Sequence, residues 1–291
     1  MEMWKKVQSS SRKKFELSDE IKTRYYGTPP IHRVIERNHR GRDFVIGDLC
    51  GCYDQLSEKL KSVRFDASAD RLFSVGNVIN YGPSSCKCLR LVNEPWFFSV
   101  LGNHELMMIQ ALGIRGNGYS APRDFFRKGG EWYLDLSDAD KEAIEKISRD
   151  KMLAIPLRLT VQHPAGDFDI VHAQFFSLGG DKSLPDNLEY SKEAEEAMLW
   201  KRTLILDVIN NASSEEKISI DSSASTEQKR IICIEPTFLK QRRLTYVGHT
   251  VVPTPILSRS HLFIDTGAYL REKGSRVNSL TMIEHGMMKV L

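Results

Sequence analysis

No apolar run in this chain approaches the roughly 20 residues that cross a bilayer, so a membrane-spanning helix is not expected. The first 23 residues also lack the apolar centre of a signal peptide. Cysteine is scarce, five among 291 residues, and the odd count argues against a disulfide framework. Cys50-Gly51-Cys52 and Cys86-Lys87-Cys88 are C-x-C pairs, whereas zinc sites favour C-x-x-C, so little supports a four-cysteine zinc site. A redox role for Cys50 and Cys52 has equally little behind it, and Cys52, Cys88 and Cys233 read as small apolar packers. There is no C-x5-R loop, since the residue six after Cys50 is Leu56, which argues against a covalent cysteine phosphatase. One-sided charge is missing too: a net +3 is too small to argue for nucleic acid. These absences predict a protein of a reducing, cytoplasmic compartment. Export by a specialised route stays open, because Lys5, Lys6, Arg12, Lys13 and Lys14 are interleaved with Ser9, Ser10 and Ser11. Residues 1–23 read as a basic extension: a solvated surface, a partner-docking arm or an unprocessed export signal.

Enough apolar material is present, at 41%, for a sizeable core. From Asp43 onward short apolar strands alternate with amphipathic helices. Strands are predicted at 44–46, 72–75 and 96–101, with helices at 53–63, around Cys88 to Leu91, and at 105–111. One helix is predicted over 122–134, and another from the capping-box residues Ser137 to Asp140 as far as 149. Later strands are predicted at 157–161, 168–171, 244–247, 261–264 and 279–283, with a helix at 191–202 among them. Residues 210–229, rich in Ser, Glu, Asn and Lys, read as a surface insertion with a little local strand. The organisation is therefore residues 1–23 as an extension and 24–291 as a single domain.

Four glycine-bounded strings fall just after predicted strands: Gly47-Asp48-Leu49-Cys50-Gly51, Gly76-Asn77-Val78-Ile79-Asn80-Tyr81-Gly82, Gly102-Asn103-His104-Glu105 and Gly248-His249-Thr250. Open α/β sheets build their ligand clefts at strand C-termini. Asp48 and Asn77 are 29 positions apart, and Asn77 and Asn103 are 26 apart. With Val171-His172-Ala173, these strings and intervals resemble the phosphoprotein phosphatase family, most closely its bacteriophage lambda type of Ser/Thr phosphatase. The likeness starts near Arg24-Tyr25-Tyr26 and runs to the C-terminus. It implies a calcineurin-like metallophosphatase fold, α/β, with two mixed sheets packed as a sandwich and flanked by helices.

The resemblance also implies roles. Asp48 matches a ligand of a first metal; Asn103, His172 and His249 match ligands of a second. His104 matches the catalytic histidine, and Arg202 a phosphate-binding arginine. Four positions depart from the family. Cys50 stands for a histidine ligand, Asn77 for the aspartate that bridges both metals, Asn80 for the aspartate that orients the catalytic histidine, and Tyr81 for a phosphate-gripping arginine. Leu101 stands where many members place another arginine. A two-metal hydrolase holds cations about 3.5–4 Å apart, and a neutral amide at position 77 leaves their repulsion uncompensated by several kcal/mol even at an effective dielectric near ~20.

The leading expectation is a pseudophosphatase that binds a protein partner, with no metal or one divalent ion, zinc or manganese, at partial occupancy. Two alternatives stand beside it. One is an active phosphatase with a single metal or a zinc–thiolate site at Cys50; the other is a phosphoresidue reader that keeps Arg202 and His104. Asp48, Asn103 and His249 also admit a plainer role, capping neighbouring backbone. His32, His39, His163, His261 and His285 match no motif and read as surface or packing histidines.

Overall fold

The computed structural model describes residues 30–115, 122–175, 191–211, 218–220, 231–239 and 242–287. The expectations for residues 1–23, and for most of 210–229, lie outside them.

Strand β2 (Asp43–Ile46) shows why two cores form. Its side chains alternate between faces. Val45 enters a core between two sheets with Phe73, Leu159, Ile170 and Tyr246, while Phe44 and Ile46 enter a larger core under the helices with Leu56, Leu89 and Leu106. Both faces of β2 are covered, which is why its run reads as continuously apolar after Asp43. The smaller sheet runs β12 (Met282–Glu284), β2, β3 (Arg71–Ser74), β4 (Phe97–Ser99), with β2, β3 and β4 parallel. The larger sheet has eight strands, ordered β1 (His32–Ile35), β5 (Arg158–Val161), β6 (Phe168–Val171), β9 (Leu244–Val247), β11 (His261–Phe263), β10 (Ile256–Ser258), β8 (Ile231–Cys233), β7 (Ile218–Ile220). It is mixed: β6, β9 and β11 run parallel, and β5 pairs with β6 antiparallel.

Helices α1 (Tyr53–Ser62), α2 (Ser85–Arg90) and α3 (Asn103–Ala111) follow β2, β3 and β4 in turn. The short α4 (Pro122–Phe125) precedes α5 (Asp138–Asp150), whose Ser137 hydroxyl caps the Asp140 amide at 3.1 Å as its sequence predicts. Then come α6 (Lys192–Trp200), α7 (Thr203–Asn211) and α8 (Ala268–Glu272). Among the described residues no helix is long and apolar enough to cross a membrane.

The single helix expected over 122–134 is instead broken. After α4 the chain widens into a π turn, passes Gly129 at φ 85°, and tightens into a 3-10 turn over Glu131–Tyr133. A left-handed glycine cannot continue an α-helix. The break has a use in the site, as follows. Strands β1, β8 and β10 and helices α7 and α8 were not anticipated; all are short, and three or four residues carry too little periodicity to read.

Candidate functional site

Loops leaving β2, β3, β4, β6, β9 and β11 meet at one end of the sandwich and bring Asp48, Cys50, Asn77, Asn80, Asn103, His104, His172 and His249 into a buried cluster. Close loop approach demands unusual backbone. Cys50, Asn77, Asn80, Tyr81 and His249 all hold positive φ, at 45°, 49°, 77°, 63° and 65°. A non-glycine residue there is strained by roughly 1–2 kcal/mol. Gly76, at φ 93°, could not be another residue, because a Cβ would lie 2.8 Å from the Gly102 nitrogen.

Glu105 ties two of the loops together. Its carboxylate accepts from the backbone nitrogens of Asn77, Val78 and Gly102 at 2.8, 2.9 and 3.0 Å. Burial nevertheless pushes its pKa up to about 7.

Asn77 sits at the centre. Its Nδ2 donates to Asp48 Oδ2 at 3.0 Å, and its Oδ1 accepts from the His104 backbone nitrogen at 3.1 Å. The other Asp48 oxygen, Oδ1, accepts from the His249 backbone nitrogen at 3.0 Å. Both carboxylate oxygens of Asp48 thus face N–H donors, the capping role that the plainer reading allowed. Burial first, then the charge of Asp265, pushes the Asp48 carboxyl well above its ordinary range. Cys50 is buried beside it, and burial, then the Asp48 charge, drives its thiol upward, away from thiolate.

Asn80 Nδ2 lies 2.8 Å from His104 Nδ1, while Asn80 Oδ1 is 2.8 Å from Trp132 Nε1. The indole can only donate. It therefore fixes Asn80 Oδ1 as acceptor and turns the amide NH₂ toward His104. His104 Nδ1 must accept, so the ring proton sits on Nε2. This is the tautomer opposite to the one an aspartate at position 80 would select. Burial brings the His104 pKa down to about 3. The chain break at Gly129 is what carries Trp132 to this position.

The second metal position differs. His172 Nδ1 lies 2.8 Å from the Val75 carbonyl and donates to it. His172 Nε2 is then a bare lone pair, and it faces Asn103 Oδ1 across 3.0 Å. Two facing acceptors are the donor set of a cation, or else the Asn103 amide turns to present its NH₂. His249 lies alongside, its ring centroid 4.9 Å from that of His172. Its Nε2 has Arg202 Nε at 3.2 Å and the Trp200 carbonyl at 3.1 Å; the tautomer that donates to Trp200 leaves Nδ1 free as a ligand. Asn103, His172 and His249 fit one divalent ion with three neutral donors. The first position does not fit a second ion as the residues stand: an N–H points at Asp48 where a shared cation would, and the neighbouring sulfur is a buried thiol. Among the described residues no group of three or more His, Cys, Asp and Glu is placed to hold a metal.

Tyr81 closes the mouth. It stacks on Tyr269 at 4.8 Å and meets the His104 ring at 5.1 Å, and Lys273 Nζ lies 5.5 and 5.2 Å from the two tyrosine rings. Arg202, exposed at the start of α7, is the cation nearest the histidines by hydrogen bond. Leu101 is buried, its nitrogen donating to Pro156. Sequence reasoning missed Trp132, Asp265, Tyr269 and Lys273. Asp265 was within reach of it, since Ile264-Asp265-Thr266-Gly267-Ala268 follows a predicted strand as the other motifs do.

A two-sheet α/β sandwich with this order of strand-end motifs defines a metallophosphatase. The family model for calcineurin-like phosphoesterases matches residues 44–253, and the chain belongs to that family. It is 34% identical over 171 residues to serine/threonine-protein phosphatase 2 of Escherichia coli strain K12, covering 58% of this chain and 72% of that protein. It is 38% identical over 107 residues to serine/threonine-protein phosphatase 1 of Salmonella typhimurium, covering 37% and 47%. Similarity also extends to a symmetrical bis(5'-nucleosyl)-tetraphosphatase of Dechloromonas aromatica, 30% over 132 residues, covering 45% and 42%.

Proposed function

We propose that this chain is a pseudophosphatase, a metallophosphatase scaffold that binds a protein partner and has lost the two-metal hydrolysis of phosphate esters. The observation that carries this reading is the Asn77 amide, whose Nδ2 stands 3.0 Å from Asp48 Oδ2. A bridging group must offer lone pairs to two cations; this one offers a proton to the only carboxylate of the family set. Asn80 and Trp132 support the reading independently, because the tautomer they impose leaves His104 neutral and its Nε2–H a weak acid. Tyr81 cannot supply the bidentate fork of an arginine.

One divalent ion on Asn103, His172 and His249 would supply positive charge to a phosphate oxygen. The chain's own groups there do what binding needs: Arg202 offers a guanidinium at the mouth, and His104 Nε2–H offers a neutral donor. These two favour phosphoresidue binding as a second reading. Relatives of this chain carry phosphatase names, so metal-dependent hydrolysis, with one ion or with zinc on Cys50, is the competing reading. Nucleic acid has no part in any of the three.

The test is purified protein with manganese or zinc and an aryl phosphate, alongside metal content by mass spectrometry. No turnover above the buffer blank and at most one ion per chain are expected. Robust manganese-dependent turnover would overturn the proposal, and stoichiometric zinc lost together with activity in Cys50→Ala would replace it with the thiolate enzyme. Phosphopeptide titration of wild type against Arg202→Ala checks the second reading, which equal affinities would remove.

A further inference from the structure

An apolar groove of about 270 Å³ lies on the helix side of the small sheet, far from the histidine cluster along the chain. Tyr53, Leu56, Leu60, Phe65 and Trp96 form its floor and walls. Its charged wall residues are Lys61 and Arg64 alone, both basic and both exposed. A half-buried aromatic floor with a one-signed rim fits an apolar segment that carries negative charge.

The chain contains one such segment ahead of its described part. Three of the four acidic residues among positions 1–29 fall within Phe15-Glu16-Leu17-Ser18-Asp19-Glu20-Ile21, and Glu2 is the fourth. In an extended chain Phe15, Leu17 and Ile21 share one face, with Glu16 and Glu20 on the other. The flanks on either side are basic: Arg12, Lys13 and Lys14 before it, Lys22 and Arg24 after it. Only this window is complementary to Lys61 and Arg64.

The path is also right. The described chain begins at Pro30, whose carbonyl accepts from Leu157 at 3.0 Å, and the adjacent Pro156 carbonyl accepts from Leu101 at 2.9 Å. From Leu101, β4 runs back along the sheet edge to Trp96, five residues or roughly 17 Å. Residues 22–29, eight in number, span up to about 28 Å when extended. A second groove of about 320 Å³, bounded by Arg33, Phe98, Ser99 and Pro156, fills the interval. The two grooves adjoin, for Leu91 and Trp96 line the first and their chain neighbours Val92 and Phe97 line the second.

We infer that residues 15–21 of this chain occupy the groove between α1 and Trp96, with Phe15, Leu17 and Ile21 toward its floor and Glu16, Asp19 and Glu20 toward Lys61 and Arg64. The inference uses no part of the catalytic-site reading. Amide hydrogen exchange on the full-length protein tests it. In wild type the amides of 15–21 should exchange about tenfold or more slower than an unstructured peptide of that sequence. The charge reversal Lys61→Glu with Arg64→Glu, on two exposed side chains, should return them to the unstructured rate while leaving exchange in β2 and β3 unchanged. Adding Glu16→Lys with Glu20→Lys to that variant should restore the protection. Unprotected amides in wild type overturn the inference. Protection that survives charge reversal, or that rises with protein concentration and so comes from a second copy, overturns it equally.

Discussion

A buried aspartate needs either a cation or donors for its oxygens. At Asp48 both oxygens face N–H groups, one from Asn77 and one from the backbone of His249. Replacing Asn77 by aspartate removes a donor and sets a third carboxylate beside Asp48 and Asp265. In chelator, Asn77→Asp is therefore expected to be less stable than wild type by about 3 kcal/mol, the scale of an unpaired buried charge. Manganese should reverse the order, because the new carboxylate can bridge. Melting temperatures of both proteins, with chelator and with manganese, check this; a variant indifferent to metal would show that position 77 does not govern the site. Asn80→Asp acts on a different group. It accepts from both Trp132 Nε1 and His104 Nδ1, so it should move the imidazole proton from Nε2 to Nδ1 and raise the His104 pKa from about 3. Nitrogen-15 imidazole shifts read tautomer and charge directly. Wild-type His104 should stay neutral and Nε2-protonated from pH 5 to 8, and a wild-type ring carrying its proton on Nδ1 would remove the Trp132 argument.

Element boundaries show where backbone chemistry and side-chain choice disagree. Helix α1 ends at Val63, and the next residue, Arg64, sits at φ 51° with its nitrogen donating to the Lys61 carbonyl at 3.1 Å. That is the left-handed position where helices prefer glycine. Arg64→Gly should stabilise the fold by about 1 kcal/mol, raising the melting temperature by about 2 °C in a chain of this size; an unchanged or lower value would mean the arginine side chain contributes more than its strain. The same scale decides what could be read in advance. The strings around Asp48, Asn77, Asn103 and His249 were legible because each follows a strand and each needs a sharp turn, which leaves glycine in the sequence. Helix α5 was legible through the Ser137 cap. The helix expected over 122–134 failed at Lys128-Gly129, where the apolar spacing of Phe125, Phe126 and Trp132 continues through a break. Tertiary demand overrode periodicity there, since Gly129 packs against the Tyr81 backbone, where a Cβ would come within 2.7 Å. The pairing of Trp132 with Asn80, and of Tyr81 with Tyr269, joins residues far apart in the chain, and no local pattern announces such contacts.

At the scale of the whole molecule, proton binding links the site to both cores. Burial holds five imidazoles uncharged well into acid: His104 and His172 titrate at about 3, His249 at about 2, and His261 and His285 at about 4. In the unfolded chain each would titrate near 6.5. Below that value the unfolded state binds protons that the folded state refuses, so stability is complete above roughly pH 6.5 and is lost as pH falls toward the folded values. Glu105, raised to about 7, and Asp48, raised by burial, work in the other sense, because the folded state holds their protons where the unfolded chain has released them. Five groups against two leave a net uptake of about three protons on unfolding near pH 5, or about 4 kcal/mol per pH unit. Against a total stability of roughly 5–15 kcal/mol, that slope unfolds the protein within a few units. Urea midpoints should therefore fall steeply between pH 6.5 and 4.5, and a flat midpoint over that range would contradict the buried, neutral assignment. Two of the five, His261 and His285, lie outside the histidine cluster; His285 Nδ1 meets the Tyr246 hydroxyl at 2.9 Å and its Nε2 the Gly166 carbonyl at 2.9 Å. His285→Asn should thus remove about one proton from the slope while leaving metal content untouched, whereas His172→Asn should change both.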